Sequence, residues 1–112
     1  MQQKQRTAGL IRQGDVLLIP ATHPRYRKPT GTLTTALSRG EVFVLAEGEV
    51  TGHAHTVPVT TATLNLDEGG VMYLTVAQLT AVDHQEHASV TLAPMAKPYQ
   101  VTIQREWSDA LE

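Results

Sequence analysis

Strand-like alternation is clearest in the stretch Tyr99-Gln100-Val101-Thr102-Ile103-Gln104-Arg105-Glu106-Trp107. Its apolar residues Val101, Ile103 and Trp107 share one face of an extended chain, and polar residues alternate with them on the other face. Arg105 falls on the apolar face, which places it either at the rim of a barrel or in a polar interior. This alternation predicts a β-strand with one face against a core.

The same strand-forming character extends outward over the chain. Thr, Val and Ile together make up 29 of the 112 residues, and such β-branched side chains favour a pleated sheet. Turn residues separate short runs at the spacing of a small sandwich or barrel, and no run has a sustained helical period. We therefore predict an all-β fold of about eight short strands, in the runs Asp15–Pro20, Thr32–Leu37, Glu41–Ala46, His53–Val59, Thr61–Leu66, Val71–Val82, Ala88–Ala93 and Tyr99–Trp107. In the run 71–82 apolar residues occur on both faces, which indicates a strand covered on both sides.

Length and composition limit the class of protein. A chain of 112 residues forms one domain, so we expect a single domain over 1–112 with a flexible N-terminus over 1–6. The chain has no cysteine, which excludes disulfide scaffolds, cysteine-ligated metals and thiolate nucleophiles. It has no signal-peptide pattern and no apolar run of about 20 residues, so we expect a cytoplasmic protein that does not contact a membrane.

Charge is divided unevenly along the chain. Residues 1–40 carry seven Lys or Arg and one Asp, whereas residues 41–112 carry two Lys or Arg and ten Asp or Glu. The densest basic stretch is His23-Pro24-Arg25-Tyr26-Arg27-Lys28-Pro29, which is either a solvated loop or a contact for an acidic partner. We expect a homodimer from this asymmetry. Nucleic acid is an unlikely partner because the isoelectric point is near 6.2.

Four of the five histidines occur in two pairs. The first pair, His53 and His55, lies at i and i+2, so both imidazoles project from one face of a strand. The second pair, His84 and His87, converges only if residues 83–87 form a hairpin turn or bulge. If the two segments are neighbours, four imidazoles meet at one point. His23 stands alone and is expected to be a hydrogen-bonded structural residue.

Imidazole is the commonest metal ligand, so the two pairs predict one divalent transition metal bound by His53, His55, His84 and His87. Nitrogen ligands without thiolate suit Zn, Ni, Cu, Fe or Mn equally well in sequence terms. Glu49 and Glu86 lie beside the pairs. Each is a candidate metal ligand, a partner orienting an imidazole, a general base, or a solvated turn residue.

The histidine pattern resembles the cupin superfamily. A His-x-His at a strand end, followed about thirty residues later by another histidine, is the part of the motif that this chain shares. The resemblance implies a double-stranded β-helix with one metal, in which His53 and His55 match the His-x-His and His84 or His87 matches the later histidine. The chain has Pro58, Val59 and Thr60 where cupins usually carry a glutamate after the His-x-His, and it lacks the usual Pro-x-Gly before the later histidine.

A second resemblance spans about the last two-thirds of the chain. The pattern Thr51-Gly52-His53-Ala54-His55, then His84-Gln85-Glu86-His87, then Gln104-Arg105-Glu106-Trp107 is similar to that of a small bacterial family of unassigned activity. This resemblance implies no substrate.

Two functions from different classes follow from these features. The first is a small cupin-like β-barrel that binds a divalent transition metal. If one coordination position stays open, this protein is a metalloenzyme that acts on a small molecule. The second is a non-catalytic module for protein interaction or self-association, in which the histidines are structural. The sequence has no phosphate-binding glycine loop and no serine in a nucleophile elbow, so nucleotide binding and a serine triad are not expected.

Overall fold

The computed structural model describes residues 9–48 and 50–104. Within these ranges the chain is all-β, which confirms the predicted fold class, and it contains ten short strands rather than about eight. They are β1 (Ile11–Gln13), β2 (Val16–Ile19), β3 (Thr34–Thr35), β4 (Val42–Glu47), β5 (Ala54–Pro58), β6 (Ala62–Leu66), β7 (Met72–Val76), β8 (Thr80–Val82), β9 (Val90–Leu92) and β10 (Tyr99–Ile103).

The described strands form one large and two small antiparallel sheets. The large sheet has six strands in the order β1-β2-β10-β7-β6-β3, and the two-stranded sheets are β4–β5 and β8–β9. A single antiparallel bridge between Thr56 and Asp83 joins β5 to the end of β8. This bridge matters for function because it places the two small hairpins side by side.

Only the second strand of the first hairpin was predicted: β2 lies within the run Asp15–Pro20, whereas β1 was missed. Gln13 pairs with Val16, so Gly14 and Asp15 form a two-residue loop between β1 and β2. Gly14 has a φ of 56°, as expected at the first central position of a type II′ hairpin turn. The Gly-Asp pair between Gln13 and Val16 was therefore the available sequence signal for this hairpin.

The run 71–82 was predicted as one strand, and this prediction is wrong. β7 ends at Val76 and β8 begins at Thr80, in a different sheet. The backbone N–H groups of Ala77 and Gln78 both donate to the carbonyl of Thr61, which diverts the chain out of the large sheet. Leu79 is left 67% exposed at the diversion. Apolar composition alone did not reveal this break because no glycine or proline marks it.

The predicted polar face of the last strand is also buried in part. Gln100 and Gln104 are 6% and 7% exposed. β10 lies in the middle of the large sheet, between β2 and β7, and loop 20–30 covers Gln100, whose side-chain oxygen accepts the N–H of Arg27. The placements predicted for Arg105, Glu106 and Trp107 lie outside the described residues, as does the N-terminus over 1–6.

The core lies between the large sheet and the two small ones. Its most completely buried apolar side chains come from all three sheets, since Leu74 and Val57 are fully buried and Leu92 is 1% exposed. In the described ranges no helix is long and apolar enough to cross a membrane.

Candidate functional site

The first histidine pair is delivered by the β4–β5 hairpin. The N–H of Gly48 donates to the carbonyl of His53 at 2.7 Å, and the N–H of His53 donates to that of Val50 at 2.9 Å. Gly52, with a φ of 87°, supplies the left-handed conformation that this turn needs. These two hydrogen bonds close the connection between β4 and β5. Glu49, a candidate named from the sequence, lies outside the described residues.

A β-bulge in β4 lies opposite His55. Val44 pairs with Thr56 and Ala46 pairs with His55, which leaves Leu45 as the extra residue. Bulges commonly redirect side chains beside functional sites. Here the bulge keeps Leu45 in the core while Ala46 lines the cavity described below.

The second pair lies in the loop between β8 and β9. Thr56 and Asp83 exchange two backbone hydrogen bonds of 2.9 Å, which hold the start of this loop beside β5. The loop then returns the chain to β9, so His84 and His87 need not follow the divergent geometry of a regular strand. The hairpin connection that the i, i+3 spacing required is thus present.

The structure brings all four histidines of the two pairs together, and we refer to His53, His55, His84 and His87 as the histidine cluster. The centroid of the His84 ring is 4.4 Å from that of His55, 4.6 Å from that of His87 and 5.7 Å from that of His53. The His55 and His87 rings are 5.8 Å apart. His84 is therefore at the centre of the cluster.

His55 is the buried member, with 3% exposure. Its Nδ1 lies 2.7 Å from the side-chain oxygen of Gln13 on β1. Burial, followed by the charges of His84 and His87, lowers the pKa of His55 from 6.5 to about 4. His55 is therefore neutral at pH 7, which is the form that binds a metal.

His84 is less deeply buried and is held by its own loop. The N–H of Glu86 donates to Nδ1 of His84 at 3.0 Å. Burial and then the neighbouring His87 and His53 lower the pKa of His84. A neutral His84 that accepts at Nδ1 carries its proton on Nε2. To bind an ion through Nε2 it would have to give up the contact with Glu86 and shift that proton.

One nitrogen of His53 lacks a partner within the described part of the chain. Its Nδ1 is buried and has no hydrogen-bond partner among residues 9–48 and 50–104, which is uncommon for a buried polar atom. Oε2 of Glu86 is 3.6 Å from this nitrogen, beyond hydrogen-bonding distance. Of the two carboxylates named from the sequence, Glu86 therefore does lie beside the cluster.

Two glycines give the imidazoles their room. A Cβ at Gly14 would lie 2.6 Å from Nε2 of His87, and a Cβ at Gly48 would lie 2.9 Å from Nε2 of His84. Any other residue at either position would have to displace a ring. The cluster borders a cavity of about 250 Å³, which Asp15, Glu47 and Glu86 also line.

The donor atoms are gathered but do not converge. Across residues 9–48 and 50–104, no group of three or more His, Asp or Glu side chains is arranged as they stand to hold a metal ion. Imidazole nitrogens suit such an ion, and the cavity is large enough for it. To hold the ion, however, the imidazoles would have to rotate within the cavity.

His23 lies apart from the cluster. Its Nδ1 accepts the N–H of Arg25 at 3.1 Å, within the basic loop, and it does not line the cavity. This agrees with its expected structural role and makes it a useful control.

Sequence reasoning missed two residues of the site, Gln13 and Gly14. The turn signal of Gly14 was present in the sequence, but nothing there links Gln13 to a histidine 42 residues away. That contact depends on how β1 lies against the two small hairpins.

Comparison with known families gives one match. The description of the matching family is a domain of unknown function, DUF8820, and the match covers residues 12–104. The chain belongs to this family. The match includes all four cluster histidines and Gln13. No curated protein and no solved structure matches the chain.

Proposed function

We propose that this DUF8820 domain binds one divalent transition metal through the histidine cluster. The observation that carries the proposal is the spacing of His55, His84 and His87, whose ring centroids are 4.4, 4.6 and 5.8 Å apart. Imidazoles that share one ion have centroids about 5 Å apart, because each nitrogen lies about 2.0–2.1 Å from the metal. His53, with its unsatisfied buried Nδ1, is the fourth ligand in the proposal.

Electrostatics supports the same function. The lowered pKa values of His55 and His84 keep both rings neutral at pH 7, so neither a proton nor a positive charge competes with a cation. Asp15 and Glu86 line the cavity and favour a positive ion there. Glu47 also lines it, but its carboxylate pairs with the Arg39 guanidinium at 2.8 Å. The cupin resemblance remains a prediction, and it agrees with this proposal in using the His-x-His of β5.

A bound ion would act as a Lewis acid or lower the pKa of a bound water if one coordination position stayed open. Glu86, 3.6 Å from His53, is then the carboxylate placed to accept a proton. With four histidine ligands and no open position, the site would instead stabilise the fold. Metal binding is the proposed function in both cases.

The test is elemental analysis of tag-free protein after exposure to Zn, Ni, Mn, Fe and Cu in turn. The wild type should retain close to one metal per chain, and His55→Ala should lose it. His23→Ala is the matched control, since it also removes a histidine but lies outside the cluster, and it should bind like the wild type. A metal-free wild type, or equal retention in all three proteins, would overturn the proposal.

The basic loop supports a second candidate function, self-association into a homodimer. Arg25, Arg27 and Lys28 are all exposed, on a loop that Gln100 and the edge-on contact of Tyr26 with Tyr73 hold in place. A fixed loop with three cations suits an acidic surface such as the one that residues 41–112 can supply. Sedimentation velocity at low and high salt tests it, since a dimer held by these charges weakens with salt. A monomer at every salt concentration refutes it.

A further inference from the structure

The side-chain amide of Gln13 is fixed in one orientation by three hydrogen bonds. Its nitrogen donates to the carbonyls of Val82 and Ala88, each at 2.9 Å, and its oxygen lies 2.7 Å from Nδ1 of His55. The reverse orientation would place the amide oxygen against two carbonyl oxygens, which cannot donate a proton. Gln13 therefore presents an acceptor to His55.

An acceptor at this position determines which nitrogen of His55 carries the proton. Nδ1 must donate to the amide oxygen, so a neutral His55 has its proton on Nδ1 and a lone pair on Nε2. The ring is 3% exposed, and Cε1, the carbon between its two nitrogens, is 3.3 Å from where a Cβ at Gly14 would lie, beside the cavity. The lone pair is therefore on Nε2, the ring nitrogen that Gln13 does not contact.

We propose that Gln13 is the positioning residue of this site: it locks His55 in the Nδ1–H tautomer and so makes Nε2 the atom that binds the ion. The metal-binding part of this inference rests on the proposed function, whereas the tautomer does not. Histidine ligands usually donate their other N–H to such a partner, and loss of the partner typically weakens metal binding by about 10- to 100-fold.

Gln13 also holds the second histidine pair in place. The carbonyl oxygens of Val82 and Ala88 accept from the Gln13 amide, and these two residues flank the segment that carries the second pair. One amide thus links β1, the first pair and the loop of the second pair. The two effects can be separated by measuring the His55 tautomer and the zinc affinity in the same variant.

The first measurement uses metal-free wild type and needs no variant. Long-range ¹H–¹⁵N correlation spectra of the histidine rings report the protonated nitrogen directly. The proposal expects the His55 proton on Nδ1 near pH 7. A proton on Nε2, or a mixture of both tautomers, overturns it.

The second measurement compares variants by zinc titration against a competing chelator. Gln13→Met keeps the approximate length of the side chain and removes all three hydrogen bonds, so zinc affinity should fall about 10- to 100-fold. The ring spectra of metal-free Gln13→Met should show that His55 no longer holds its proton on Nδ1 alone, because the acceptor is gone. If the zinc affinity fell while His55 kept the Nδ1–H tautomer, tethering of the loop would explain the loss, and the proposal would fail.

Gln100→Met is the matched control because Gln100 is also a buried strand glutamine, at 6% exposure against 5% for Gln13, and does not line the cavity. It should leave tautomer and affinity unchanged. Wild type that binds no zinc, yet holds the proton on Nδ1, would refute the proposed function and the metal-positioning role and leave the tautomer assignment supported. Zinc binding with equal affinity in wild type and Gln13→Met would refute the positioning role alone.

Discussion

Gly14→Ala would place a methyl group where the His87 imidazole now lies. The new Cβ would be 2.6 Å from Nε2 of His87, closer than real Cβ contacts allow, and 3.0 Å from Cδ2 of the same ring, which is tighter than most such contacts. Because His87 is exposed, its ring can swing outward, and we expect the ring to move rather than the β1–β2 turn. The substitution should therefore remove one member of the histidine cluster without changing any histidine.

The expected loss of stability comes mainly from the backbone. Gly14 has a φ of 56°, and an L-residue held in the left-handed region costs about 1–2 kcal/mol. In a domain of this size each kcal/mol lowers Tm by roughly 4 °C or somewhat more. The effect on zinc should be separate. Displacing a ligand ring should weaken binding about tenfold or more, and a tenfold loss removes about 1.4 kcal/mol of the stabilisation by excess zinc.

Gly40→Ala provides the matched control. Gly40 has a similar φ of 63°, but a Cβ there would meet nothing within 4 Å. Both variants should lose similar stability without metal, measured as Tm by circular dichroism, and only Gly14→Ala should lose part of the further rise in Tm on adding zinc. An equal zinc-dependent rise in both variants would show that contact with Gly14 does not set the position of His87 in the metal site.

Three further predictions follow. The folded-state pKa of His55 is about 4 against 6.5 for an ordinary imidazole, so the unfolded chain binds more protons between these values and metal-free protein should lose stability as pH falls through this range. In urea unfolding His55→Gln should flatten that loss, and parallel stability curves for variant and wild type would contradict the prediction. Backbone hydrogen bonds from Thr30, Val71 and Gly69 lower the pKa of Asp67, so Asp67→Asn should reduce the stability of the protein at pH 7 and weaken the decline of that stability in acid. An unchanged urea midpoint at pH 7 would count against a stabilising role of the Asp67 carboxylate. Leu74→Ala should lower the free energy of unfolding by about 2–5 kcal/mol because Leu74 is fully buried, whereas Leu37→Ala should change it by no more than about 0.5 kcal/mol because Leu37 is 95% exposed. Similar losses in both variants would refute the assigned core.

Local signals in the sequence were sufficient for most strands. The predicted runs around β4, β5 and β6 match strands to within one or two residues at most ends, because each is a β-branched run bounded by turn residues. The prediction failed where a strand ends without a glycine or proline to mark its end. The break after Val76 depends on two hydrogen bonds to Thr61, which no composition rule detects.

For the candidate site, too, local features could be predicted from the sequence and long-range contacts could not. The i, i+2 spacing that sends His53 and His55 to one side of the chain is a local property, and the sequence was enough to predict it, although β5 begins only at Ala54. Their contact with His84 and His87 was conditional, since it required β5 to lie beside the second loop. The backbone bridge between Thr56 and Asp83 meets that condition.

By itself, therefore, the sequence determined the all-β class, most of the strands and the two histidine pairs, because side-chain alternation and turn chemistry act within a few residues. Only the tertiary structure decided that the pairs meet and that Gln13 contacts His55. It also decided that Gly14 leaves room for His87. These contacts join residues 27 to 73 positions apart. Such contacts form because the sheets bury a common core while most buried backbone and amide groups find hydrogen-bond partners. No short segment contains that information.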